Sequence, residues 1–122
     1  MASDNIKKGK KGEALAERFL KKKGYRILEK NYRTHFGEVD IIARDGKSLV
    51  FIEVKARSSD GFGSPLAAVG AKKQSHLTAA AGIYLQLNHI EDQPVRFDVV
   101  GITGEGTRAK IELVRNAFDA VE

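Results

Sequence analysis

The sequence predicts an α/β sandwich: a mixed sheet flanked by helices, formed by one domain over residues 1–122. Three observations carry that reading. Apolar residues recur at helical spacing at Ala14, Leu15, Phe19 and Leu20, and again at Leu77, Ala80, Ala81, Tyr84 and Leu85. Asp45-Gly46 is a hairpin signal between two strand-like runs. Leu49-Val50-Phe51-Ile52 is continuously apolar, as in a strand buried on both faces.

Ser3-Asp4-Asn5 offers N-caps for the first helix, and Gly24, after Lys21-Lys22-Lys23, reads as its C-cap. Residues 1–8 are expected to be flexible. A strand begins at Tyr25 to Leu28, and Asn31 to Phe36 reads as a turn. Gly37 to Ala43 and Ser48 to Ala56 form an antiparallel hairpin about Asp45-Gly46, in a register near Ile42 with Val50 and Asp40 with Ile52. Ser58 to Pro65 is a Gly/Ser loop. Lys72 to Leu87 is an Ala-rich helix, and Gln93 to Ile102 and Ala109 to Val114 are strands. Asn116 to Val121 is expected to close the chain with a helical turn. Strand, helix and strand across residues 48–102 make a crossover, expected to be right-handed.

Composition narrows the function. Without cysteine there is no disulfide framework, thiolate zinc site or cysteine nucleophile. No apolar run approaches the roughly 18 residues of a membrane span, and the basic residues 1–11 lack the apolar core of a secretory signal. A cytoplasmic protein without a membrane partner is expected. Residues 1–33 carry 11 Lys/Arg against 4 Asp/Glu, while residues 34–122 carry 10 against 12. A basic first third suits a polyanion such as nucleic acid, although a Lys-rich helix face is also commonly just solvated.

The chemistry sits at the end of the most apolar strand. Glu53 and Lys55, two apart, share a strand face, and Val54 takes the other. Asp40, with Glu38 two before it, lies on the preceding strand; whether Asp40 and Glu53 share a face depends on register or a bulge. Neighbouring carboxylates repel unless a cation lies between them, and oxygen ligands suit Mg²⁺ or Mn²⁺. Such an ion with an adjacent lysine has the parts that phosphodiester hydrolysis requires. An isolated E-x-K is more often a plain ion pair.

GEVD at 37–40 and FIEVKAR at 51–57 resemble the PD-(D/E)xK nuclease motif, with Val39 where the motif has proline. Together with Gly12-Glu13-Ala14, Asn31-Tyr32-Arg33, AAVGAKKQ and RFDVV, they resemble the UPF0102, or YraN-like, family. That family is distantly similar to archaeal Holliday-junction resolvases. The matching stretches span about residues 9–118. The resemblance implies a restriction-endonuclease-like αβββαβ core and a Mg²⁺-type site. It makes Asp40 and Glu53 metal ligands, with the Val54 carbonyl a third, Lys55 the catalytic lysine and Glu13 the helix carboxylate completing the site.

Other residues support a nucleic-acid reading. Lys72, Lys73 and Gln74 open the second helix, where free N–H groups and the dipole favour anions. Lys11 and Arg57 are further candidate phosphate contacts, and Arg57 alternatively pairs with Asp60. Glu17 fits a salt bridge with Lys21, Glu38 an exposed strand position or an auxiliary carboxylate. Phe62 in the loop is a weak stacking candidate. His35, His76 and His89 lack zinc spacing and read as surface residues; Asp98, among apolar residues, calls for an ion pair or hydrogen bond. The expected function is therefore a metal-dependent endonuclease acting on DNA, branched or flapped structures included. The rival readings are a non-catalytic nucleic-acid-binding module and a partner-binding protein. A homodimer would enlarge the small DNA-facing surface, although no interface stripe stands out.

Overall fold

The computed structural model describes residues 2–57, 65–104 and 106–121, with side chains described from Gly12 onward except at 65, 68 and 106. Helix α1 (Ala2–Lys22) precedes strands β1 (Arg26–Thr34), β2 (Gly37–Asp45) and β3 (Ser48–Arg57). Helix α2 (Ala71–Leu87), strand β4 (Val95–Thr103) and strand β5 (Lys110–Val114) follow. The five strands form one sheet in sequence order. Only β3 and β4, joined through α2, run parallel; the other neighbours are antiparallel. This is the expected mixed sheet flanked by helices, consistent with a restriction-endonuclease-like core.

The helices cover opposite faces. On one face Ala16 and Leu20 of α1 bury against Ile41, Ala43, Val50, Ile52, Val100 and Ile102. On the other, Leu77, Ala80, Ala81 and Tyr84 of α2 bury against Val39, Ile42, Phe51, Phe97 and Val99. With both faces covered, β3 is buried from Leu49 to Glu53, as its unbroken apolar run requires. In α1 the expected stripe is displaced: Ala14 is exposed, while Gly12 and Ala16 are buried. A Cβ on Gly12 would stand 3.0 Å from that of Ala56, so glycine lets α1 approach β3 closely.

The first helix runs through Ser3-Asp4-Asn5 rather than starting there. It ends as expected at Gly24, which takes φ +95°. The N–H of Tyr25 donates to the Leu20 carbonyl and that of Gly24 to the Lys21 carbonyl, the paired bonds of a Schellman motif. Tyr25 is thereby turned under the sheet. Its hydroxyl donates to Asp98 at 2.7 Å, while Arg96 donates to Asp98, to Asp45 and to the Tyr25 oxygen. Asp98 thus obtains both an ion pair and hydrogen bonds. Its buried carboxylate pushes the Tyr25 phenol up to about 12, after burial itself.

Three local expectations are corrected. Asn31 to Thr34 belongs to β1, and the turn is reduced to His35-Phe36. Thr34 makes this possible: its Oγ1 accepts from the N–H groups of Phe36 and Gly37 and donates to the Gly37 carbonyl. The β2–β3 register is shifted by one residue, with Ile42 opposite Phe51 and Ile41 opposite Ile52. The loop is Gly46-Lys47, and Gly46 takes φ +61°, the positive value a type II′ turn needs at its first central position. Residues 116–121 form no helical turn. The N–H of Asn116 donates to Asp98 and that of Ala117 to the Phe97 carbonyl, and Phe118 stacks on Phe97, so this segment bonds to β4 instead of itself.

Candidate metal centre

The site forms where β2 and β3 part. Their ladder ends at Ile41 opposite Ile52. Two residues beyond Ile52, the backbone N–H of Val54 donates to Asp40 Oδ2 at 2.8 Å, so a side chain takes the place of the next ladder bond. Asp40 also marks a change of face. Ile41 packs under α1, yet Val39, two residues away, packs under α2. The opposite strand makes the same change: Lys30 reaches Glu17 of α1, whereas Tyr32 packs edge-on against Tyr84 of α2. Between the pairs Lys30–Ile41 and Tyr32–Val39 lie Asn31, at φ 53°, and Asp40. Two residues apart should share a face; the left-handed conformation at Asn31 accompanies the exchange, and asparagine tolerates it better than most residues.

Because the faces exchange here, Asp40 is reached from both layers. Glu13 approaches Asp40 from the turn of α1 that Gly12 brings close. Glu13, Glu38 and Asp40 each place a carboxylate oxygen within 4.8 Å of the others. With its amide oriented to satisfy both neighbours, Asn31 donates to Glu38 at 2.8 Å and to Glu13 at 2.9 Å. From the other side Asp40 meets the charge of Glu53. Glu53 is 3% exposed, and Lys73 and Lys55 approach its Oε2 at 3.3 and 3.6 Å. Its Oε1 is buried without a partner.

Burial, and after it the neighbouring carboxyls, raise the proton affinity of Asp40 and Glu13. Burial, followed by the neighbouring Glu53, pushes Asp40 up to about 7. Glu13 is raised by burial and then by Asp40 and Glu38. Without a cation, Asp40 therefore retains its proton up to about neutral pH. An orphaned buried carboxylate oxygen beside a raised aspartate is what a hard divalent ion relieves, and the donors are all oxygens, the set that suits Mg²⁺ or Mn²⁺. The residues fit such an ion.

The other candidates fall out as follows. Lys73 joins the cluster through Glu53, and Lys72 is exposed nearby. Gln74 Nε2 donates one of its two hydrogens to the Val69 carbonyl. Arg57 ends β3, and its carbonyl accepts from the N–H of Gly104. Glu17 makes the expected ion pair with Lys21 and a second with Lys30, and the Lys21 hydrogen bond, first, lowers its pKa. His35, His76 and His89 are exposed. The Lys11 side chain and the loop residues Ser58, Asp60 and Phe62 lie outside the described residues. Among the described residues no helix is long and apolar enough to cross a membrane. Asn31 is the member that sequence reasoning did not place in the site, and Glu38 was left between an auxiliary carboxylate and an exposed strand position. Their one signal was position, within the NYR and GEVD stretches.

Comparison with known sequences matches this site-bearing region. The family described as Uncharacterised protein family UPF0102 matches residues 12–102. A UPF0102 protein of Syntrophus aciditrophicus is 46% identical over 117 residues, covering 96% of this chain and 92% of its own. A UPF0102 protein of Thermodesulfovibrio yellowstonii is 50% identical over 113 residues, covering 93% and 96%. A third, of Desulfosudis oleivorans, is 49% identical over 112 residues, covering 92% and 89%. With Glu13, Asn31, Glu38, Asp40 and Glu53 all inside the matched span, the chain belongs to the UPF0102 family.

Proposed function

We propose that the protein is a metal-dependent endonuclease that hydrolyses DNA phosphodiester bonds, branched or flapped DNA included. The observation that carries this reading is the unpartnered, buried Glu53 Oε1 beside Asp40 at the parted strand ends. Asp40 and Glu53 would hold the ion. The carbonyl of Val54 joins them: its N–H turns toward Asp40, and in a strand a residue's N–H and C=O turn to the same neighbour. Glu13 and Glu38 complete the acidic wall, held apart by the Asn31 amide. A bound Mg²⁺ or Mn²⁺ supplies Lewis-acid stabilisation of phosphate charge and eases the ionisation of water.

The chain's own cations serve the substrate. Lys55 keeps its ammonium partly in solvent, 3.6 Å from Glu53, where it can orient the attacking water and donate to a phosphate oxygen. Lys73 lies in the first turn of α2, which holds no acidic residue and whose N-cap, Gly70, supplies no side-chain bond. The free N–H groups of that turn favour a phosphate as well. Such contacts give affinity rather than sequence choice. Two chains in a symmetric pair would present two sites to a branched substrate.

The test is cleavage of labelled single-stranded, duplex, flapped and four-way DNA with Mg²⁺ or Mn²⁺, by wild type, Asp40→Ala and Lys55→Ala. Metal-dependent cleavage lost in both variants is the expected result. Salt-sensitive binding in all three proteins with no cleavage in any would replace the nuclease by a binding module.

A further inference from the structure

The two-residue turn between β1 and β2 carries a feature that the metal site does not use. Phe36 is 55% exposed, and it is the one aromatic among the large apolar side chains left exposed in the described residues. It is also held rigidly. Thr34 Oγ1 takes the N–H of Phe36 at 3.1 Å and of Gly37 at 3.2 Å, and donates to the Gly37 carbonyl at 3.0 Å. Gly37, at φ +152°, allows the turn to lie against α2, where a Cβ would stand 3.2 Å from that of His76. The aromatic ring is therefore presented to solvent by a fixed backbone.

We propose that Phe36 is a stacking platform for an unpaired nucleobase, so that the substrate is single-stranded or strand-opened nucleic acid. The proposal rests on the nuclease reading and names its substrate class. Position supports it: Phe36 lies four residues before Asp40, about 13 Å at the rise of a strand. Charge supports it too. Exposed Arg33, paired with Glu38 at 3.6 Å, lies near the end of β1, His35 lies in the turn, His76 on the stretch of α2 it touches, and Lys73 one helical turn before His76. A ring with Arg33, Lys73 and imidazole donors near its turn suits a base with its flanking phosphates. A protein partner would need a contiguous apolar patch. The other exposed large apolar residues are scattered: Leu87 ends α2, Val95 pairs with Leu49 at the far end of β3 from Glu53, and Val121 lies in the last segment, its N–H donating to Thr78. A continuous duplex keeps its bases stacked on one another and offers the ring no free face.

The chain has no tryptophan, so Phe36→Trp introduces a single indole at this point, excited selectively over the three tyrosines. Binding is read in Ca²⁺ with an oligothymidylate and with a blunt duplex. The emission of Phe36→Trp should be quenched by the oligothymidylate and not by the duplex. Phe36→Ala should weaken oligothymidylate binding about fivefold to a hundredfold, the scale of one lost base stack, and leave duplex binding unchanged. Phe36→Leu, apolar but not aromatic, should not restore it. Wild-type binding that Phe36→Ala leaves intact would overturn the stacking role alone. Wild type that binds no nucleic acid would overturn the nuclease reading with it.

Discussion

Val54 and Asp40 are joined by a bond that crosses strands beyond the end of their ladder: the Val54 N–H donates to Asp40 Oδ2 at 2.8 Å. The orientation of the central carboxylate is thus set by the backbone of β3. Asp40→Asn keeps an acceptor for this N–H, whereas Asp40→Ala leaves it unpaired. In metal-free buffer near neutral pH, Asp40→Asn should be more stable than wild type by about 1 kcal/mol, since it removes carboxylate repulsion. Asp40→Ala should be less stable than Asp40→Asn by about 1–3 kcal/mol. Urea unfolding of the three proteins checks the order.

The raised Asp40 also fixes a pH dependence. Its ordinary value is 3.8 and its folded value is about 7. Between those values the folded chain retains a proton that the unfolded chain releases, so the contribution of Asp40 to stability falls as pH rises from about 4 to about 7. Thermal melts in EDTA across that range should show wild type losing ground to Asp40→Asn as pH rises. A difference between the two that does not change with pH would contradict the raised value.

Metal binding should reverse the order. Mn²⁺ at about 100 times its dissociation constant would stabilise wild type by about 2.7 kcal/mol. Neither Asp40→Asn nor Glu53→Gln should gain comparably. The readout is the shift in melting midpoint on titrating Mn²⁺, with return on adding EDTA.

Asn31 should act through the carboxylates it bridges. Asn31→Gly keeps the left-handed backbone but deletes the amide that meets Glu13 and Glu38. Its Mn²⁺ affinity should fall about tenfold to a hundredfold, as for other partners that orient metal ligands. Calorimetric titration of Mn²⁺ checks this, and an affinity equal to wild type would remove Asn31 from the site.

The network below the sheet predicts a purely structural loss. Arg96 donates to Asp98, Asp45 and Tyr25, and Asp98 is 1% exposed. Arg96→Met would leave Asp98 buried without its counter-charge and should cost about 3–5 kcal/mol. Tyr25→Phe, which removes one bond to Asp98, should cost about 1–2 kcal/mol. Denaturant unfolding measures both, and neither change should alter Mn²⁺ affinity.

Much of this architecture was legible because its signals are local. The apolar run at Leu49 to Ile52, the stripe from Leu77 to Leu85 and the glycines at 24 and 46 each specify their element from neighbours in sequence. Asp40, Glu53 and Lys55 were legible as charges interrupting apolar strands. The geometry joining them was not. In Val39, Asp40, Ile41, Ile42 and Ala43 apolar residues fall on both faces, so the pattern cannot say which face Asp40 takes. Asn31 is misleading in another way: asparagine marks a turn as readily as a left-handed residue inside a strand. Glu38 looked like an ordinary outward strand residue until Asn31 and α1 were placed beside it.

The exchange of faces at Asn31 and Asp40 also governs how β1 and β2 can pair. A regular strand can slide two residues along its neighbour and still bury the same kind of side chain. A pair whose halves face opposite helices cannot, because any slide carries Tyr32 or Lys30 across the point where the faces change. The irregularity that assembles the carboxylates is thus also a register lock, and the hairpin has one alignment in which both halves fit their layers.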